Sequence, residues 1–383
     1  MLALLTLAAA TAPAPDIDAL MKQVDARRLR ATVERLAQWP NRNTNNATLT
    51  EAAEWIAGEY RTIPGLQVEL MRYRIERSQR VPEAKEVVQV IATLPGASPR
   101  RVIIGGHMDT INMVQRTLDA PAPGANDDAS GTAVALEMAR ILARHRWRNT
   151  LVFVAFSGEE QGLLGSRALA KRAKAEGWTI DAVLSNDMVG NSRNNRGESN
   201  AREVRVFSEE SEDHNSRELA RFIHWNARGR IRGFGPKLVF RRDRFGRGGD
   251  HTPFNQGGFT AVRLVEVHEE YSRQHTPDDL PKDMDWRYLA NAARLNLLTM
   301  ATLANAEDAP SEVRVDRAQG YGAKINWKAK PGVRYVLYWR ETTSPIWQGA
   351  KEVGAVKEAT SEFHKDDYVF AVGAVGGVPI EAN

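Results

Sequence analysis

Short, continuously apolar runs alternate along this chain with segments of helical period. Val87-Val-Gln-Val-Ile-Ala-Thr-Leu94 stops at Pro95-Gly96, and Arg101-Val-Ile-Ile-Gly-Gly106, Leu151-Val-Phe-Val-Ala-Phe156 and Ala182-Val-Leu-Ser185 follow. Runs of this length without polar alternation read as buried strands. A helix predicted over about 130–144 and another after Gly165 lie between them, so the pattern is that of an α/β domain.

The flanks extend this frame. Residues 17–38 and 49–60 carry apolar residues at helical spacing, residues 191–202 read as a surface loop, and Val204–Phe207 and 216–227 read as a strand and a helix. A helix over Trp286–Ala304 closes a unit spanning 16–304, and the polar, proline-containing stretch 305–311 is a linker. Beyond it the period changes. Lys324–Trp327, Tyr335–Trp339 and Tyr368–Val372 are short runs between Pro-Gly, Thr-Thr-Ser-Pro and Gly-Gly turns, which predicts a small β-sandwich over 312–383. Its placing of Trp327, Tyr335 to Trp339 and Tyr368 resembles fibronectin type III domains.

Composition removes several chemistries. The 383 residues hold no cysteine, so only histidine nitrogen and carboxylate oxygen are available as good metal ligands. The 52 Lys and Arg are nearly balanced by 48 Asp and Glu with no basic stripe, which argues against nucleic acid. Past the first residues no run approaches the ~18 apolar residues of a bilayer span, so no stable membrane insertion is expected. Residues 1–15, a short apolar stretch, then small residues and Pro13-Ala-Pro15, read as a secretory signal peptide.

The strand ends carry the chemistry. Gly105-Gly-His107-Met-Asp109 closes one run, and alternation points Asp109 to the same side as His107, where a carboxylate can accept the second imidazole N–H. Gly124-Ala-Asn-Asp127-Asp128-Ala-Ser-Gly131 sets adjacent acids at a helix mouth, more carboxylate than a cap requires. Glu159-Glu160 follows Phe156-Ser-Gly, and a dication beside such a pair would let one glutamate bind metal while its neighbour moves protons. Asn186-Asp187 and Gln274-His275-Thr-Pro-Asp278-Asp279 also follow apolar runs.

Taken in order, these five motifs over about 84–304 resemble the co-catalytic zinc exopeptidases typified by bacterial leucyl aminopeptidases, with glutamate carboxypeptidase and glutaminyl cyclase as relatives. The resemblance implies a three-layer α/β/α fold with a mixed central sheet and two zinc ions. It makes His107 and Asp187 ligands of one ion, Glu160 and His275 ligands of the other, Asp127 the bridge and Glu159 the general base. Asp109 would orient His107, the Asp127-Asp128 peptide would be cis, and Asp279 or Asp278 would support His275.

Gln274 stands where many members of that family carry an aromatic residue, and Tyr271 is the nearest oxyanion stabiliser. Asp250 and His251 resemble a segment lining the substrate cleft; Arg241 to Arg247 reads as a solvated charge run, with a substrate carboxylate as its alternative partner. The implied protein is a bacterial, periplasmic or secreted aminopeptidase acting on peptides. Its sandwich is available for contact with a cell surface or wall. The rivals are a carboxypeptidase or dipeptidase, a glutaminyl cyclase, and a non-catalytic binding module, against which the complete ligand set argues.

Overall fold

The computed structural model describes residues 15–208, 215–318 and 320–383. The expected signal peptide, apart from Pro15, lies outside them. The chain opens with helices α1 (Ile17–Met21), α2 (Ala26–Leu36) and α3 (Ala47–Arg61), then strands β1 (Gln67–Ile75), β2 (Lys85–Leu94) and β3 (Ser98–His107). Helix α4 (Ala129–Leu142), β4 (Asn149–Phe156), α5 (Leu164–Ala175), β5 (Ile180–Asn186) and β6 (Glu203–Ser208) follow. Next come α6 (Ser216–Ala227), β7 (Gly235–Val239), α7 (His251–Gln256), β8 (Ala261–Glu266) and α8 (Trp286–Ala304).

Eight strands form one mixed sheet in the order β1-β2-β4-β3-β5-β8-β6-β7, with β4, β3, β5 and β8 parallel at its centre. Successive side chains of each strand enter different cores. Val102 and Ile104 of β3, with Leu151, Phe153 and Ala155 of β4, pack under α1 to α4, α6 and α8; Ile103, Val152, Val154 and Phe156 pack under α5 and α7. The three-layer α/β/α arrangement is therefore present, and the unbroken apolar runs reflect helices on both faces. Truncating Phe153, which is fully buried, to alanine should cost about 3–5 kcal/mol.

Weakly patterned strands escape the sequence reading. β1 and β7 are the sheet edges; β1 alternates between exposed and covered residues, and β7 carries Pro236, which an edge strand tolerates. Helix α8 has the bounds expected from sequence, and Asp285 caps its start by accepting hydrogen bonds from the Arg287 and Tyr288 N–H groups.

The C-terminal part has strands β9 (Ser311–Val315), β10 (Gly322–Lys328), β11 (Tyr335–Glu341), β12 (Gly349–Gly354), β13 (Glu358–His364), β14 (Tyr368–Ala374) and β15 (Ile380–Glu381). They make two antiparallel sheets, β13-β10-β9 and β12-β11-β14-β15, around Ile325, Trp327, Tyr335, Leu337 and Phe370. Asp308 ties the preceding stretch to Arg100 at 2.8 Å. Trp225 of α6 meets Tyr338 edge to face, and Arg221 donates to the Pro345 carbonyl at 3.0 Å. Among the described residues no helix is long and apolar enough to cross a membrane.

Candidate metal centre

The chain leaves β3 for β4 on one side and returns to β5 on the other, so β3 is a switch point of the parallel sheet, where a crevice opens at the carboxyl edge. His107 ends β3, Glu159 and Glu160 follow β4, Asp187 follows β5, and His275 comes from the loop after β8. Asp127 lies between them at the mouth of α4. Its Oδ1 is 3.1 Å from His107 Nε2, and its Oδ2 is 3.1 Å from His275 Nε2. His107 Nε2 also lies 3.7 Å from Asp187 Oδ1, and His275 Nε2 lies 3.1 Å from Glu160 Oε1.

Asp128 holds this group in place. Its carboxylate accepts hydrogen bonds from the N–H groups of His107 (3.0 Å), Gly131 (2.9 Å) and Met188 (3.2 Å) and from the Ser130 hydroxyl (3.1 Å). One side chain thus staples the end of β3, the start of α4 and the residue after Asp187. The approach requires glycine: a Cβ on Gly106 would lie 2.5 Å from the Gly131 carbonyl carbon, and one on Gly131 would lie 2.4 Å from the Asn186 oxygen. The Asp127-Asp128 peptide is cis, as the resemblance implied.

Two supporting roles differ from expectation. The His107 Nδ1 partner is the backbone carbonyl of Asp109 at 3.0 Å, whereas the Asp109 carboxylate lies 3.8 Å from that nitrogen. The carboxylate accepts instead from the N–H groups of Glu159 and Glu160, each at 3.2 Å. Strand alternation fails here because β3 ends at His107 itself. Asp279 does not support His275; it accepts from Asn126 N–H (3.0 Å) and Asp127 N–H (2.9 Å), fixing the acidic turn, while Asp278 is exposed.

The electrostatics call for a cation. A carbonyl can only accept, so His107 Nδ1 carries the proton, and a neutral ring would turn its Nε2 lone pair toward two carboxylate oxygens. Burial favours the neutral ring, yet Asp127 and Asp187 outweigh it and hold His107 well above the usual range. His275 is likewise raised to about 11, with Glu160 and Asp127 overcoming burial. Glu160 Oε1 and Asp187 Oδ1 are buried and make no hydrogen bond. Buried carboxylates in this density are stable only with compensating positive charge.

A cleft of about 400 Å³ opens above the centre, lined by Arg80, Glu159, Glu160, Leu163, Arg247, Gly248, Gln274 and His275. Burial pushes the Glu159 carboxyl well above its usual range; His107 opposes that push, and Glu160, Asp187 and Asp250 add to it. Gln274 donates to Asp127 Oδ2 at 2.7 Å, so it contacts the acid shared by both histidines. Tyr271, 57% exposed, lines a different cavity with Arg205, His268 and Glu269, which removes it as the oxyanion stabiliser expected from sequence. Asp250 and His251 are buried behind the cleft, His251 Nε2 lying 2.6 Å from the Arg242 carbonyl. The run 241–247 is not a plain solvated face either: Asp243 is buried and ion-paired with Arg244 and Arg263.

A family model, Peptidase family M28, matches residues 89–300, which span every one of these positions except Arg80. The chain belongs to peptidase family M28. A "probable zinc metalloprotease" of Leptosphaeria maculans is 32% identical over 409 residues, covering 95% of each chain. Further relatives of the same description come from Pyrenophora, Pyricularia oryzae and Phaeosphaeria nodorum, each covering 95% of this chain. These relatives are fungal. They overturn the expected bacterial, periplasmic or secreted assignment.

The bacterial part of that expectation came from the family resemblance, and the export part from residues 1–15. The LapA aminopeptidase of Legionella pneumophila superposes with a TM-score of 0.59 at 18% identity, covering 76% of this chain and 75% of its own. A glutaminyl cyclase of Fimbriiglobus ruber gives 0.58 at 19% identity over 72% of this chain and 94% of its own. At such identities the likeness concerns the fold.

In this M28 chain, sequence reasoning missed several buried groups. Arg42 donates to the carbonyls of Met108, Leu36 and Gly124 at 2.7, 2.8 and 3.0 Å, bracing the loops on either side of the candidate ligands; nothing around Asn41-Arg42-Asn43 signals it. Glu266 accepts from Asn126 Nδ2 and Asn191 N–H, and Arg263 lies 2.8 Å from Asp187 Oδ2. Both interrupt the apolar run of β8, and a charge inside a strand buried on both faces is the signal that could have found them.

Proposed function

We propose that this M28 peptidase is an aminopeptidase that works with two zinc ions, releasing N-terminal residues from peptides. The observation that carries the reading is the division of Asp127: one oxygen faces His107 and the other His275. Asp187 and Glu160 then complete the two sides with oxygens that have no hydrogen bond. Donor atoms of His107, Asp127 and Glu160 lie within 4.8 Å of one another, as do those of His107, Asp128 and Asp187. Asp128 is already occupied by donors on both oxygens, so Asp127 serves as ligand to both ions and Asp128 as its support.

The nitrogen and carboxylate donor set suits zinc, and the fungal relatives carry zinc in their descriptions. When bound, zinc supplies Lewis acidity to the scissile carbonyl and to the attacking water. The chain's own residues do the rest. Glu159, in the cleft and with its proton affinity raised, takes a proton from the water and delivers it to the leaving amine. Asp109 fixes the backbone N–H groups of Glu159 and Glu160, so base and ligand share one rigid turn.

Amino-end cleavage is supported by the aminopeptidase LapA on the same fold and by Glu159 and Glu160 on the cleft wall, whose negative charge favours a peptide's ammonium group nearby. A second reading, a carboxypeptidase or dipeptidase, is favoured by Arg80 and Arg247 on the same walls. Peptides blocked by N-acetylation or C-amidation separate the two. Cleavage of amidated and not acetylated peptides supports the aminopeptidase; the reverse supports the carboxypeptidase.

A further inference from the structure

Arg263 sits in the middle of β8, fully buried, opposite Ser185 of β5 and Phe207 of β6. A guanidinium in that position is retained only if its charge is met. It is met twice. One terminal nitrogen lies 2.8 Å from Asp187 Oδ2, and the other lies 2.5 Å from Asp243 Oδ2. Asp187 therefore offers one oxygen to the metal side, the Oδ1 that makes no hydrogen bond, while its second oxygen is held from behind. Asp243 belongs to the loop between β7 and α7, which also carries Arg247 and Gly248 into the cleft wall. Its Oδ1 accepts from the Arg244 backbone N–H and side chain, and Arg244 continues to Glu269, which pairs with Arg205.

We infer that Arg263 is a positioning residue that couples the metal ligand Asp187 to the substrate wall of the cleft through Asp243. The guanidinium has two terminal nitrogens, one hydrogen-bonded to Asp243 and the other ion-paired with Asp187 outside hydrogen-bond geometry, and a single lysine ammonium on a flexible stem cannot reach both. The two arms of the fork have separable consequences: loss of the Asp187 arm frees a metal ligand, and loss of the Asp243 arm frees the wall. The inference rests on the two-zinc reading above.

The test is zinc titration of metal-stripped protein against a chromophoric chelator, with kcat and KM on an unblocked peptide measured after reloading. Arg263→Met should lose about tenfold or more in affinity for one of two zinc equivalents, and Arg263→Lys should recover only part of it. Asp243→Asn should bind both equivalents within about twofold of the parent while its KM rises severalfold and kcat changes little. If Arg263→Met does not fold, the charge-balanced Arg263→Met/Asp243→Asn variant reads the same affinity. Zinc affinities and KM equal to the parent's in Arg263→Met or the double variant overturn the inference, as does Asp243→Asn losing zinc without a change in KM. A parent that binds one equivalent refutes the two-zinc reading instead; the coupling then stands or falls on whether that equivalent weakens without Arg263.

Discussion

Asp128→Asn perturbs the site without replacing a proposed ligand. Asp128 Oδ1 accepts from Ser130, Gly131 and Met188, and Oδ2 accepts from the His107 N–H. An asparagine keeps its oxygen where it meets most donors, so its NH2 faces the His107 N–H. One buried N–H is left facing another donor, and such a group costs about 1–3 kcal/mol. With roughly 2–4 °C of melting temperature per kcal/mol for a chain of this scale, the zinc-loaded protein should melt about 2–12 °C lower. The cost falls at the backbone of His107, so zinc affinity should fall with stability. Thermal melts and metal analysis of the dialysed protein read both. A variant that melts within about 1 °C of the parent and keeps its zinc would refute the assignment of Asp128 as the staple of the site.

Glu159→Gln should retain the parent's zinc content and lose about 10²–10⁴ in kcat; undiminished turnover would remove Glu159 as the base. Glu218, on α6 against the C-terminal sheets, has its carboxyl pushed up to about 7 by burial, with Arg221 opposing and Glu381 adding. The folded protein keeps that proton to higher pH than the unfolded chain, so this group's contribution to stability is greatest below about 4.5 and falls as pH climbs to about 7. Glu218→Gln removes the effect, and its melting temperature relative to the parent should rise between pH 5 and pH 8. A constant difference across that range would contradict it.

What the sequence shows depends on how locally each role is determined. The placing of His107, Glu160 and Asp187 along one sheet edge was legible because each stands at or within four residues of the end of a buried parallel strand, which fixes where the next residues stand. The helix Trp286–Ala304 was legible for a similarly local reason, its apolar residues at helical spacing ahead of a polar, proline-containing stretch. The edge strands β1 and β7 were not, since one covered face gives an interrupted pattern.

Roles that depend on tertiary pairing stayed hidden. Asp128 and Asp279 belong to motifs visible in the chain, but which N–H groups their oxygens meet is set by β5 and by the Asn126-Asp127 turn brought alongside them. Strand alternation puts Asp109 beside His107 but fails to fix its partner, because Asp109 lies two residues beyond the end of β3. Tyr271 is close to His275 in sequence, but the loop directs it to a separate cavity. Gln274, noted as a departure from the expected aromatic, contacts Asp127 instead.

The measurement that bears most directly on the central claim is zinc per chain, determined together with amino-acid release from an unblocked peptide before stripping, after stripping and after reloading. Two zinc ions per chain, with release abolished by stripping and restored by zinc, is the predicted result. Undiminished release from metal-free protein, or a fully active protein that never holds more than one ion, would contradict it.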